Sequence, residues 1–185
     1  MEGLLSGNLL SKASVFGSSG GSNIKSIQRG TADMANASTL NIAISDVDLT
    51  KSIVIVSGVT SGVAGTYFWV QGKLLNSTTV SLRRNSVGTP AYLVDWVVIE
   101  FNNVKSLQTG ETSVGNFLSV TQAVTSIDPL KSLLVHSWFT DYNDNFVTEA
   151  VWINKIESST GISFRRAAYA TAGNWYIRWY LIEFN

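Results

Sequence analysis

The nine residues that end the chain, IRWYLIEFN at 177–185, echo an earlier stretch, VDWVVIEFN at 94–102. The echo extends further. IKSIQRG at 24–30 returns as VKSLQTG at 104–110, and SDVDLTKSIVIV at 45–56 returns as TSIDPLKSLLVH at 125–136, both shifted by 80 residues. VSLRRNS at 80–86 returns as ISFRRAA at 162–168, shifted by 82, and the closing strands are shifted by 83. Four matches keep one order while the offset grows by one or two residues. Such small insertions belong in loops, where added length costs little. The chain therefore divides into two tandem units, 24–102 and 103–185, behind an N-terminal arm, 1–23.

Each unit reads as β-structure. LNIAIS (40–45) alternates apolar residues with polar or small ones, the period-2 pattern of a half-buried strand. SIVIVSGV (52–59), TYFWVQGKLL (66–75), TTVSLRR (78–84) and YLVDWVVIEF (92–101) follow, separated by Gly, Ser, Asn and Asp turn residues. The second unit supplies FLSVTQAV (117–124), KSLLVHSWF (131–139), FVTEAVWIN (146–154), GISFRRA (161–167) and NWYIRWYLIEF (174–184). With IKSIQRG or VKSLQTG as the opening strand, each unit has six. Short strands in series predict antiparallel meanders folded into sandwiches. The expected fold is all-β: two tandem antiparallel six-strand β-sandwich repeats preceded by an extended arm.

Composition narrows the function. Formal net charge is zero and only 14% of the 185 residues are charged. Nucleic-acid binding draws on a surplus of Lys and Arg, which this chain lacks. There is no cysteine, hence no disulfide framework and no thiolate chemistry, as fits a protein made in a reducing cytoplasm. No apolar run approaches the length of a membrane span, and MEGLLSGNLLSK lacks the basic start and long apolar stretch of a signal peptide.

Catalytic constellations are not found. His136 is the single histidine, and Val56 stands at its place in the first unit, so it reads as a strand residue. Without a second His or a Cys there is no Ser-His-Asp, Cys-His or HExxH arrangement. The chain is expected to be non-enzymatic and to need no cofactor. Arg84 shares a strand face with Val80 and Leu82, as Arg166 does with Ile162 and Phe164. An Arg ending an apolar face needs an acid, and Glu100 and Glu183 stand near the end of the neighbouring strand. Structural ion pairs Arg84–Glu100 and Arg166–Glu183 are therefore expected.

One stretch has no counterpart in unit one: WFTDYNDNF at 138–146. Asp141, Asn143, Asp144 and Asn145 are ordinary turn formers, and they also offer oxygen ligands to calcium, without the spacing of a known calcium loop. With Trp138 and Tyr142 beside them, Asp141, Asn143 and Asp144 form a candidate glycan-binding surface, an aromatic face stacking on a sugar ring. The remaining Trp residues, among them Trp69, Trp152, Trp175 and Trp179, read mostly as core.

The pattern (I/V)KSIQRG, then a (V/I)D..KS strand, then a closing W.VIEF strand resembles the small β-repeat of tail-fibre and other virion proteins of tailed bacteriophages. The resemblance covers 24–185. The six strands also resemble the H-type lectin sandwich, whose members are trimeric and bind sugars, though none of that family's sugar-contacting residues can be placed here. The resemblance implies a structural virion component (tail, fibre, baseplate or head appendage) made in the host cytoplasm. Its partners would be copies of itself, a trimer by analogy, and other virion proteins. The alternative it implies is a receptor-binding module for host surface polysaccharide. The arm carries five Gly and six Ser, with apolar pairs Leu4-Leu5, Leu9-Leu10 and Val15-Phe16. Such a segment suits docking in grooves of a partner, where it becomes ordered.

Overall fold

The computed structural model describes residues 23–34, 37–60, 69–84, 92–115, 117–141, 152–166 and 173–185. The arm residues Leu4, Leu5, Leu9, Leu10, Val15 and Phe16 lie outside them. The described chain is all-β, apart from one 3-10 turn at Pro129–Lys131. Unit one comprises β1 (Ile24–Asp33), β2 (Thr39–Ala43), β3 (Ser52–Thr60), β4 (Gln71–Asn76), β5 (Thr79–Arg83) and β6 (Tyr92–Phe101). Unit two comprises β7 (Val104–Val114), β8 (Ser119–Ala123), β9 (Ser132–Thr140), β10 (Trp152–Ser158), β11 (Gly161–Arg166) and β12 (Trp175–Phe184).

The topology is the same in both units but is not the expected meander. Sheets β1-β6-β3 and β2-β5-β4 form unit one, and β7-β12-β9 and β8-β11-β10 form unit two, every pair antiparallel. The closing strand of each unit is thus the centre of a sheet, hydrogen-bonded on both sides. Central position explains why its wording is the most repeated. Tyr92, Val94, Trp96, Val98 and Glu100 face inward and are buried, as are Trp175, Ile177, Trp179, Leu181 and Glu183 in the second copy. Val80 and Leu82, or Ile162 and Phe164, meet them from the opposing sheet.

One repeated glycine is required by this packing. Gly30 lies opposite Trp96, and Gly110 opposite Trp179, across the strand pair. A Cβ on Gly30 would sit 2.8 Å from the Trp96 ring, and one on Gly110 2.5 Å from the Trp179 ring. Each indole therefore lies over a glycine, which is why IKSIQRG and VKSLQTG both end in Gly. Gly110→Ala should lower stability by about 1–3 kcal/mol, the usual cost of overpacking a filled core. Urea denaturation measures it, and an unchanged midpoint would show that the ring can move aside.

Residues 146–151 of the expected strand lie outside the described residues; from Trp152 β10 runs to Ser158, four residues beyond the expected end at Asn154. Trp152, Asn154 and Ile156 point toward the opposing sheet, while Ile153, Lys155 and Glu157 are exposed. The charges sit on the outer face of an alternating strand. A turn follows at Ser159 and Thr160, where the Ser158 hydroxyl accepts the Thr160 N–H at 3.2 Å.

Candidate functional site

The three repeated motifs meet at one carboxylate in each unit. Glu100 is buried and accepts from Lys25 Nζ at 2.8 Å, from the Ser26 hydroxyl at 3.1 Å and from the Asp48 N–H at 3.0 Å. Glu183 repeats this with Lys105 at 2.8 Å, Ser106 at 3.3 Å and the Asp128 N–H at 2.9 Å. The aspartates also turn the chain: Asp48 Oδ1 accepts the Thr50 N–H and Asp128 Oδ1 the Leu130 N–H. Burial pushes the Glu100 carboxyl up, but the Lys25 ammonium and the two other donors outweigh it and hold it below its ordinary 4.5. At Glu183 the Lys105 bond dominates and lowers the carboxyl likewise. Gln28 adds a second tie, clamping the Ser45 backbone at 2.7 and 2.9 Å, as Gln108 clamps Thr125. The repeated polar residues thus pin the opening strand and the loop before β3 or β9 to the closing strand.

The expected Arg–Glu pairs are not formed. Arg84 lies at the opposite end of β6 from Glu100, with its guanidinium 4.9 Å from the Tyr92 ring centre and its Nε donating to the Ala37 carbonyl at 2.9 Å. Arg166 lies 5.3 Å from the ring centres of both Trp152 and Trp175 and donates to the Gly115 carbonyl at 3.1 Å. Each Arg caps the far end of its sandwich, over the first residue of the closing strand. The pairing failed because β5 and β6 belong to different sheets. The strand that follows an Arg pair in sequence presents its aromatic start there, not its acidic end.

His136 is a half-buried residue of β9, its ring 5.9 Å from that of Phe164. Its Nδ1 lies 3.0 Å from Asn154 Nδ2, which also donates to the Leu134 carbonyl at 2.9 Å. With that amide as donor, Nδ1 accepts and Nε2 carries the proton. Burial pushes the imidazole below its ordinary 6.5. The fold favours the neutral ring, so stability falls as pH drops from 6.5 toward the folded value. His136→Val, which installs the residue of unit one, should remove that slope. A persistent slope in melts across this range would assign it to another group.

The candidate glycan surface is only partly in view. Tyr142, Asn143 and Asp144 lie outside the described residues, as does Asn145. Trp138 is buried, stacked on Trp69 with ring centres 4.0 Å apart and packed 5.3 Å from Trp175. Its face is therefore taken by another indole and not open to a sugar. Asp141 is exposed but tied: it accepts from the Asn174 N–H at 2.7 Å, from Asn174 Nδ2 at 3.2 Å and from the Tyr176 hydroxyl at 3.2 Å. Burial opposes its charge, yet the Asn174 and Tyr176 bonds prevail and lower its carboxyl below 3.8. These contacts join the end of β9 to the approach to β12. Among the described residues no group of three His, Cys, Asp or Glu is placed to hold a metal ion.

A surface that the motifs did not indicate connects the two units. The edge of unit one, strands β3 and β4, lies on the outer face of the β7-β12-β9 sheet. The Gly72 N–H donates to the Ser137 hydroxyl at 3.1 Å, and Gln71 Nε2 to the Tyr176 carbonyl at 3.2 Å. Arg83 lies over the Phe139 ring at 4.2 Å, and Phe101 meets its own equivalent, Phe184, edge to face at 5.7 Å. Tyr180 and Ile182 are buried in the core cluster of unit one, with Ile53 and Phe101. The signal for this surface lay in the differences between copies: Tyr180 stands where unit one has Val97, and Gln71 where unit two has Ile153.

Comparison of the chain with protein families, with curated proteins and with solved structures finds no match.

Proposed function

We propose that the protein is a non-enzymatic structural subunit of a tailed-phage virion, a tail, fibre, baseplate or head-appendage component that assembles with copies of itself and docks by residues 1–23. The observation that carries this reading is the interface between the two units, in which one sandwich seats its edge on the sheet face of the next. A module that packs on its own twin is suited to repetition along or around an axis. The residues common to both repeats support it as well, since Lys25, Ser26, Gln28, Asp48 and Glu100 are engaged in holding the sandwich. The sequence resemblance supplies the phage assignment.

Deleting 1–23 tests the docking role. The shortened chain should remain a folded, soluble β-protein and be missing from purified particles, as read by mass spectrometry of the virions. Normal incorporation would move the attachment surface into the repeats.

A further inference from the structure

The interface between the units is one-sided. Were the units related by a half-turn, every contact would occur twice, and the partner of Gln71 on Tyr176 would be Ile153 on Leu93. Gln71 is 1% exposed, whereas Ile153 is 67% exposed and Leu93 48%. On the edges, Ile53 is 1% exposed and its equivalent Leu133 47%. On the sheet faces, Tyr180 is buried while its equivalent Val97 is only partly covered, next to exposed Ile55. The missing reciprocal contacts rule out a half-turn. Phe101 and Phe184 are equivalent residues that touch, as happens close to a rotation axis.

We infer that a second copy of this chain seats the β9/β10 edge of its second unit, with Ile153 and Leu133, on the outer face of β1-β6-β3, around Leu93, Val97 and Ile55. The contact continues the arrangement already built inside the chain. Ser57, exposed on that face, occupies the position of Ser137, which receives the Gly72 N–H in the internal interface. Arg165 on the incoming edge is the equivalent of Arg83. Where Arg83 finds Phe139 and Tyr176, Arg165 would meet the Leu93 end of a face that bears Asp33 and Asp95, with Arg29 farther along beside Val97. A head-to-tail contact of this kind leaves a donor edge and an acceptor face at the two ends of every assembly. It closes into a ring when the rotation permits and otherwise extends as a filament. The inference deepens the self-assembly part of the proposed function and rests on it for that premise.

The test is complementation between two surface variants of the full chain. Leu93→Arg spoils the face and keeps the edge; Ile153→Arg spoils the edge and keeps the face. Both sites are exposed, so the melting temperatures should match the wild type. In sedimentation velocity the wild type should associate with rising concentration, and each variant alone should weaken this by at least about tenfold. An equimolar mixture should regain association as two-chain complexes, because one intact face meets one intact edge. A wild type that stays at single-chain mass, variants that associate normally, or a mixture that stays monomeric would each overturn the inference. Association in solution without incorporation into particles would sink the virion reading and leave this one standing. A chain found in particles whose mixed variants never pair would do the reverse.

Discussion

Replacing Glu100 with Gln lowers the unfolding free energy by about 2–4 kcal/mol, through lost charge-assisted bonds and weakly satisfied donors at a buried site. For a chain of this size, that is a drop of roughly 5–15 °C in melting temperature. Lys25 is well exposed, so its loss matters less than that of the carboxylate, which also receives Ser26 and the Asp48 N–H. The Glu183→Gln change should act in the same direction. The pH dependence follows from the same contacts. Both carboxyls are held below their ordinary 4.5 in the fold. Their contribution is complete above 4.5 and is lost as pH falls through the lower folded values. The wild type should therefore lose stability below pH 4.5, and the double Gln variant should lose less over that window. An equally steep acid slope in the double variant would show that these two sites do not govern it.

Tyr180→Ala should cost about 3–5 kcal/mol, the range for deleting a large buried side chain, whereas Val97→Ala at the equivalent position should cost about 1 kcal/mol or less. The two residues occupy the same place on the central strand of equivalent sheets. They differ because unit one lies on the outer face of unit two and buries Tyr180 and Ile182. Urea denaturation of both variants measures the contrast. Loss of a single cooperative transition in Tyr180→Ala would show the units coming apart, which the same interface explains. Equal costs at the two positions would mean that the faces are buried alike, and the one-sided contact would be wrong.

Much of the fold was legible because the repeat supplied an internal alignment. β6 was read to the residue, and its burial alternates from Tyr92 as far as Glu100. Hydrogen bonding on both sides and burial of the inner face left the central strand so little freedom that the same words appear in β12. β10 was ended too early, at Asn154, because Lys155 and Glu157 look like loop residues until their outward direction is known. The Arg–Glu pairing failed for a different reason. Period-2 reasoning assigns faces within a strand, but it cannot say which sheet the next strand joins, and β5 and β6 join different ones. The repeated carboxylate instead pairs with the lysine of the opening motif, distant in sequence and adjacent across β1 and β6. The interface between units escaped because it breaks the repeat: Gln71, Ser137 and Tyr176 have no like counterparts in Ile153, Ser57 and Leu93 beyond the serine.

The Lys–Ser–Glu clusters that the repeats share hold each sandwich, whereas positions that differ, such as Gln71 against Ile153 and Tyr180 against Val97, distinguish the surfaces through which units meet. Sedimentation velocity of Glu183→Gln beside Ile153→Arg, at matched concentration, tests this most directly. Glu183→Gln should melt earlier than the wild type yet keep its distribution of assemblies, while Ile153→Arg should melt with the wild type and run as single chains. Association lost in both variants, or in neither, would contradict the account.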